Sequence, residues 1–174
     1  MLGLERGTVE LVAHQSEWHR LADEERSRLE DALHHSVEEI EHVGSTAIEG
    51  IPAKPVLDLL ALADDPAPDS EYAAKLEPEG YELRENDPVL DRLFFAKGPT
   101  EERTHYLSIA ERGSDCHREQ IAFRDYLRAN QDAAAEYARL KRELANEHGD
   151  DRETYTERKS AFVERILDRA RDDA

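Results

Sequence analysis

The stretch Glu41-His42-Val43-Gly44-Ser45-Thr46-Ala47-Ile48-Glu49-Gly50-Ile51-Pro52-Ala53-Lys54-Pro55-Val56-Leu57-Asp58-Leu59-Leu60 decides how this chain is read. Val37, Ile40 and Val43 have the β-branched character of a strand that ends at Gly44. Val56 to Leu62 is nearly continuous apolar sequence, which marks a strand buried on both faces. A single acid, Asp58, interrupts it. A carboxylate inside an apolar strand is costly unless it is paired, hydrogen-bonded or bound to a cation, so Asp58 is either a site residue or the partner of a buried base. Glycine at a strand end allows a sharp turn and close approach to the main chain, and Ser45 and Thr46 add hydroxyls suited to an anionic oxygen. The plain alternative for Gly-Ser-Thr is a turn in which Ser45 or Thr46 caps a short helix.

Outward from this block, Val9-Glu10-Leu11-Val12 alternates like a short opening strand, and Ser16 is placed to cap a helix from Glu17 to about His34. That helix carries Trp18, Leu21, Ala22, Leu29 and Leu33 on one face. Asp64-Asp65-Pro66-Ala67-Pro68-Asp69 reads as a turn into a helix from about Ser70 to Leu76. Gly80 to Leu83, Leu93 to Ala96 and Thr104 to Ile109 read as strands. From Cys116 onward the sequence is helical, in three stripes: Ile121, Ala122 and Tyr126; Ala134, Tyr137, Leu140 and Leu144; Phe162, Val163, Ile166 and Leu167. Asn130 and Gly149-Asp150-Asp151 supply the breaks, and Lys141 is expected on a solvated flank. The fold class is α+β, a mixed sheet with helices packed on it and a helical C-terminal region. One domain over 1–174 is expected, sheet-rich from about 8 to 110 and helical from about 116 to 172.

Glu41-His42-Val43-Gly44-Ser45-Thr46, Ala53-Lys54-Pro55 and Asp58 resemble the signature of the GrpB-like proteins, an uncharacterised family of the nucleotidyltransferase superfamily. The likeness extends to Glu17-Trp18, Phe94-Phe95, Lys97-Gly98, Arg103-Thr104-His105, Ala122 to Arg128, Tyr137, Leu140-Lys141 and Leu144. The resemblance implies a nucleotidyltransferase-like fold in which Gly44 and Ser45 hold phosphate and Asp58 ligates Mg²⁺ or Mn²⁺. Asp58 and Ser45 would be catalytic. His42, Gly44, Ser45, Thr46, Lys54, Arg92, Arg103, His105 and Arg124 would bind the nucleotide or phosphorylated small molecule. Such chemistry ordinarily uses two or three carboxylates, yet the position two residues after Asp58 is Leu60, a deficit shared with relatives in the family. Where relatives carry a His-rich strand, this chain keeps His105 alone, with Tyr106 and Ser108 in the neighbouring places. A satisfied histidine in a half-buried strand is the other reading of His105.

Two functions follow from the resemblance: a metal-dependent nucleotidyl or phosphoryl transferase, or a degenerate nucleotide- or phosphate-binding module without turnover. Relatives fused to a coenzyme A biosynthesis kinase place such a module beside nucleotide or coenzyme chemistry, although this chain has no Walker-type loop. Arg124 and Arg128, four apart on one helix face, could meet an anion, or Arg124 could be tied to Asp125 or Asp58.

Composition narrows the partners. A net charge of −18 over 174 residues and a pI near 4.8 argue against a broad nucleic-acid surface. The lone Cys116 excludes an intramolecular disulfide and fits the reducing cytoplasm. No apolar run approaches the ~20 residues of a membrane span, and no signal pattern opens the chain. The 18 Arg, five Lys and abundant acids resemble adaptation to concentrated salt, where screening relieves self-repulsion. Stability is accordingly expected to rise between dilute and molar KCl in an unfolding series; a flat response would remove the salt-loving reading.

Overall fold

The computed structural model describes residues 2–4, 10–66, 69–85, 87, 89, 91–148 and 151–172. Five strands form one mixed sheet: β1 (Glu39–Val43), β2 (Leu57–Ala63), β3 (Tyr81–Leu83), β4 (Arg92–Lys97) and β5 (His105–Glu111), in the order β1-β2-β5-β4-β3. β2 and β5 run parallel; the other neighbours are antiparallel. α1 (Glu17–Ala32) precedes the sheet and α2 (Asp69–Leu76) links β2 to β3. α3 (Asp115–Ala129), α4 (Gln131–His148) and α5 (Arg152–Asp172) follow it.

The two-residue period of the strands sorts the side chains onto two faces. Leu57, Leu59 and Ala61 of β2, with Leu107 and Ile109 of β5 and Phe95 of β4, form a core with Trp18, Ala22 and Leu29 of α1 and Tyr72 and Leu76 of α2. On the opposite face Val43, Leu60, Leu62 and Ala110 meet Cys116, with Ile121 packed against them. β2 is apolar at nearly every position because both of its faces are covered. A third cluster joins the loop residues Ile48 and Ile51 to Leu127, Tyr137, Phe162 and Ile166 of the C-terminal helices.

The strands and helices lie where the sequence places them to within a few residues, with local differences. Ser16 is not a side-chain cap: its backbone is already helical, φ −60° and ψ −26°, and its hydroxyl makes no capping bond. Ser114 does cap α3, accepting from the His117 N–H. Of the expected opening strand, Val12 makes an isolated bridge with Ala53, and Val9 lies outside the described residues. Ala67 and Pro68 of the turn before α2, and Gly149 and Asp150 of the last break, also lie outside them. Lys141 is the clearest departure. It is 1% exposed, not solvated, because α4 is covered along that flank and the Lys141 ammonium donates to the Pro52 carbonyl at 2.8 Å. Among the described residues, no helix is long and apolar enough to cross a membrane.

The α1 face also buries charge. Glu25 is fully buried, and both its oxygens accept from the Lys97 ammonium, at 2.9 and 2.8 Å. His105 Nε2 approaches Glu25 at 3.1 Å, while Nδ1 lies 2.8 Å from the Thr104 hydroxyl. Burial lowers His105 from 6.5 to about 4 despite the opposing pull of Glu25, so the ring is neutral at pH 7. Burial, reinforced by His19 and by Arg128, Arg124 and Arg26, lowers His42 to about 3. Both histidines bind protons more weakly in the folded chain than in the unfolded one. Their contribution to stability is therefore complete above pH 6.5 and is lost progressively as pH falls below it, down to about 4 for His105 and about 3 for His42. The expected slope in that window is about 1.4 kcal/mol per pH unit for each histidine. Urea midpoints compared near neutrality and near about pH 5 check this, with His105→Gln expected to flatten part of the slope.

Candidate functional site

Val43 faces Asp58 across the β1–β2 ladder, so the turn that follows Val43 is set directly against the Asp58 carboxyl. Gly44 adopts φ 76°, and a Cβ there would fall 2.5 Å from Asp58 Oδ2. Both the left-handed backbone and the close approach require glycine. The chain then makes a short 3₁₀ turn over Ser45–Ala47, closed by the Ala47 N–H on the Gly44 carbonyl at 3.1 Å. Ser45 Oγ lies 3.4 Å from the Tyr137 hydroxyl of α4. The Thr46 hydroxyl turns the other way and is joined to His42 Nε2 at 2.8 Å, in a buried contact. His42 projects to the α1 side, where its ring meets that of His19 at 5.8 Å.

Three of the chain's five lysines gather around Asp58. Lys54 comes from the loop before β2, Lys141 from α4 and Lys159 from α5, and each pulls electrostatically on the carboxyl. Lys141 and Lys159 lie 5.0 and 5.9 Å from the centre of the Tyr137 ring, and Lys54 lies 5.3 Å from that of Tyr155. Burial raises the Asp58 pKa, against the opposing pull of Lys159, Lys54, Arg92 and Lys141. Burial pushes Lys141 well below the ordinary lysine range, with Lys159 and Lys54 adding to the effect. The Tyr137 phenol holds Lys159 above that range. Tyr155 is 1% exposed, and its buried hydroxyl has no hydrogen-bond partner. Such an arrangement suits an anion with several oxygens: ammonium groups meet its charge, and the polar atoms are already out of bulk water.

The structure therefore brings together Gly44, Ser45, Lys54 and Asp58, and adds Lys141, Lys159, Tyr137 and Tyr155, which sequence reading missed. One signal for Lys141 was present: it falls in the stripe of Ala134, Tyr137 and Leu144, at the spacing of an inward position. Lys159 had no comparable mark. Arg92 lies near enough to act on Asp58, but its guanidinium is engaged by Asp87 at 2.7 and 2.8 Å and by Ser108 at 3.2 Å. Arg124 donates to Glu41 at 2.5 Å, to the His42 carbonyl at 3.1 Å and to Asp125 at 2.9 Å, which ties α3 to β1. Arg128 donates to the Ala47 carbonyl at 2.9 Å. Arg103 is held by Glu82 and the Gly98 carbonyl, and His105 sits on the α1 face; neither joins Asp58. A groove of about 770 Å³ opens on the outer side of the 47–51 segment, lined by Ile48, Leu127, Arg128 and Ala134, but its lining includes neither Asp58 nor the lysines.

The donor set bears on the expected metal. Leu60, on the same face as Asp58, is fully buried, and Ser108 is its neighbour on β5. Among the described residues, no group of three or more His, Cys, Asp or Glu side chains is arranged to hold a metal ion. These residues do not fit a protein-held pair of metals. Asp58 is the carboxylate that would hold a single divalent ion here, and such an ion would supply positive charge to phosphate oxygens.

Comparison with solved structures places this architecture. The Cid1 poly(U) polymerase shares it with a TM-score of 0.54 at 12% identity, over 77% of this chain and 44% of that one, a likeness in fold. The conserved protein GrpB from Enterococcus faecalis aligns with a TM-score of 0.85 and 30% identity, over 92% of this chain and 96% of that one. In sequence, the Glutamate-rich protein GrpB of Alkalihalophilus pseudofirmus is 39% identical over 171 residues, 96% of this chain and 98% of that protein. A UPF0157 protein of Streptomyces coelicolor is 33% identical, over 97% of this chain and 87% of its own length. The family model described as GrpB protein matches residues 8–169. With a nucleotidyltransferase-like fold and a match along nearly its whole length, the chain belongs to the GrpB family.

Proposed function

We propose that the protein binds the phosphate moiety of a phosphorylated small molecule in the space bounded by Gly44, Ser45, Asp58, Lys54, Lys141 and Lys159. The observation that carries this reading is the lysine cluster. A chain of net charge −18 sends three of its five lysines to one carboxylate. Lysines from a loop and from two separate helices converge on that one group, and the buried Tyr155 hydroxyl beside Lys54 is a donor without an acceptor.

Calorimetric titration of inorganic pyrophosphate and of nucleoside di- and triphosphates tests it. Binding is expected with the parent and is expected to weaken about tenfold or more in Lys141→Met and Lys159→Met, the scale of a lost charge-assisted contact. Absence of binding by every phosphorylated ligand, with the protein folded, would overturn the reading.

A second reading is nucleotidyl transfer with Mg²⁺ or Mn²⁺ held by Asp58. It is favoured by the contact between the Gly44 turn and the strand carboxylate, on a fold shared with a polymerase whose structure is described as bound to MgATP. An acceptor oxygen would displace pyrophosphate from the α-phosphorus, and the lysines would stabilise the charge on the departing pyrophosphate. Metal would add electrostatic stabilisation of the phosphate oxygens. Pyrophosphate release from a panel of nucleoside triphosphates, measured with metal, is expected in the parent and absent in Asp58→Asn. The substitution removes a carboxyl whose ionisation burial opposes, so the variant is expected to melt no lower than the parent. No release with any triphosphate would leave the binding reading standing alone.

A further inference from the structure

The groove on the outer side of the 47–51 segment shares no residue with the Asp58 site and has a chemistry of its own. Its volume of about 770 Å³ is that of a small-molecule site. α4 contributes Ala134, Ala135 and Ala138, whose short side chains leave the space open, and Ile48, Ile51 and Leu127 line it with buried apolar groups. Two arginines, Arg128 and Arg142, flank these apolar side chains. Arg128, at the end of α3, donates through Nε to the Ala47 carbonyl at 2.9 Å, and the outer nitrogens of its fork have no partner among the described residues. Arg142, about three turns along α4 from Gln131, makes no hydrogen bond or ion pair among them. Elsewhere the arginines are engaged by acids: Arg92 by Asp87, Arg112 by Glu38 and Arg124 by Glu41.

The groove's own acid does not close these forks. Glu49 lines it, but the Glu49 side chain is 84% exposed and carries no arginine. His19 lines it as well; its Nε2 has no hydrogen-bond partner and lies 3.7 Å from Glu49 Oε1, beyond hydrogen-bond reach. Burial and the repulsion of Arg124 pull Arg128 below the ordinary arginine range, against the opposing pull of Asp125, Glu41 and Glu49. In a chain of net charge −18, open cationic forks in a concavity select an anion, and a planar carboxylate meets a guanidinium through parallel hydrogen bonds. The isoleucine, leucine and alanine side chains between the forks call for a hydrocarbon body behind that charge.

We propose that this groove is a second binding site, for a small organic acid whose carboxylate is held by Arg128 and whose apolar body lies along Ile48, Leu127 and Ala134 toward Arg142. It differs from the proposed phosphate site in residues and in ligand, and each stands without the other.

Calorimetric titration of the full chain with octanoate, octanamide and acetate, below the concentration at which octanoate forms micelles, tests it. The parent is expected to bind a single octanoate about tenfold or more tightly than octanamide, which lacks the charge, or acetate, which lacks the chain. Arg128→Met and Ala135→Glu are each expected to weaken octanoate about tenfold, the first by removing the guanidinium and the second by setting a carboxylate on the α4 wall. Arg128→Met also releases the Ala47 carbonyl; should it melt early, Ala135→Glu, at an exposed helix position, carries the test. Failure of octanoate to bind, or equal affinity for octanoate and octanamide, would overturn the proposal. So would octanoate binding that Ala135→Glu leaves unchanged, since the ligand would then lie elsewhere. Displacement of octanoate by pyrophosphate would merge the two sites and overturn a separate groove, whereas octanoate binding without any pyrophosphate binding would support the groove and count against the phosphate site alone. Tighter binding of a short peptide of glutamate and leucine than of octanoate would assign the groove to a protein segment and overturn the small-molecule class.

Discussion

The arrangement of this molecule depends on one carboxyl group in the wrong solvent. Asp58 occupies a strand whose neighbours are Leu57, Leu59 and Leu60, and burial works against its ionisation. The surroundings compensate from several directions: a glycine turn closes over it from β1, and ammonium groups reach it from a loop and from two helices that follow much later in sequence. Each of these elements has a geometry that makes little sense without the acid. Gly44 leaves no room for a methyl group, and α4 carries a lysine where its stripe would otherwise be apolar. Basic side chains from three separate elements are thus organised around a single acid.

The opposite face of the sheet solves a similar problem with a different result. Glu25 is also buried, but it is matched by Lys97 with both oxygens and by the neutral His105, and is closed off from solvent. A satisfied ion pair of this kind ties helix to sheet and offers nothing to a ligand. Around Asp58, by contrast, the carboxyl itself is only partly covered and the nearby Tyr155 hydroxyl is left without a hydrogen-bond partner. The comparison of the two faces separates a structural use of buried charge from an arrangement suited to binding.

Much of the architecture was legible because β2 and the C-terminal stripes have unambiguous periods, and Gly44, Ser45, Lys54 and Asp58 lie close together along the chain. The remainder depended on tertiary placement that no local pattern encodes. His105 and Tyr106 are adjacent in sequence, yet the strand period sends the first to Glu25 and the second to the side of Asp58. Arg103, Arg92 and Arg124 are attractive as phosphate ligands by residue type. Each is instead spoken for by an acid or a carbonyl, which only coordinates reveal. Lys159 is one of many charged residues on a polar helix, and its approach to Tyr137 and Asp58 follows from how α5 crosses α4. The second carboxylate expected of the fold is absent at Leu60 in the sequence itself, and among the described residues no group of three or more acidic, histidine or cysteine side chains is arranged to hold a metal ion.

The order of the elements along the chain has a consequence for biosynthesis. Asp58 enters the growing polypeptide early, β5 must thread in beside β2 after the β3–β4 excursion, and Lys159 arrives on the last helix. A ribosome-bound chain that has released only its sheet therefore presents Asp58 with Lys54 and Arg92 but before Lys141 and Lys159 have emerged. A chain cut short between β5 and α4 keeps Asp58 and Lys54 but lacks two of the three lysines that face the carboxyl.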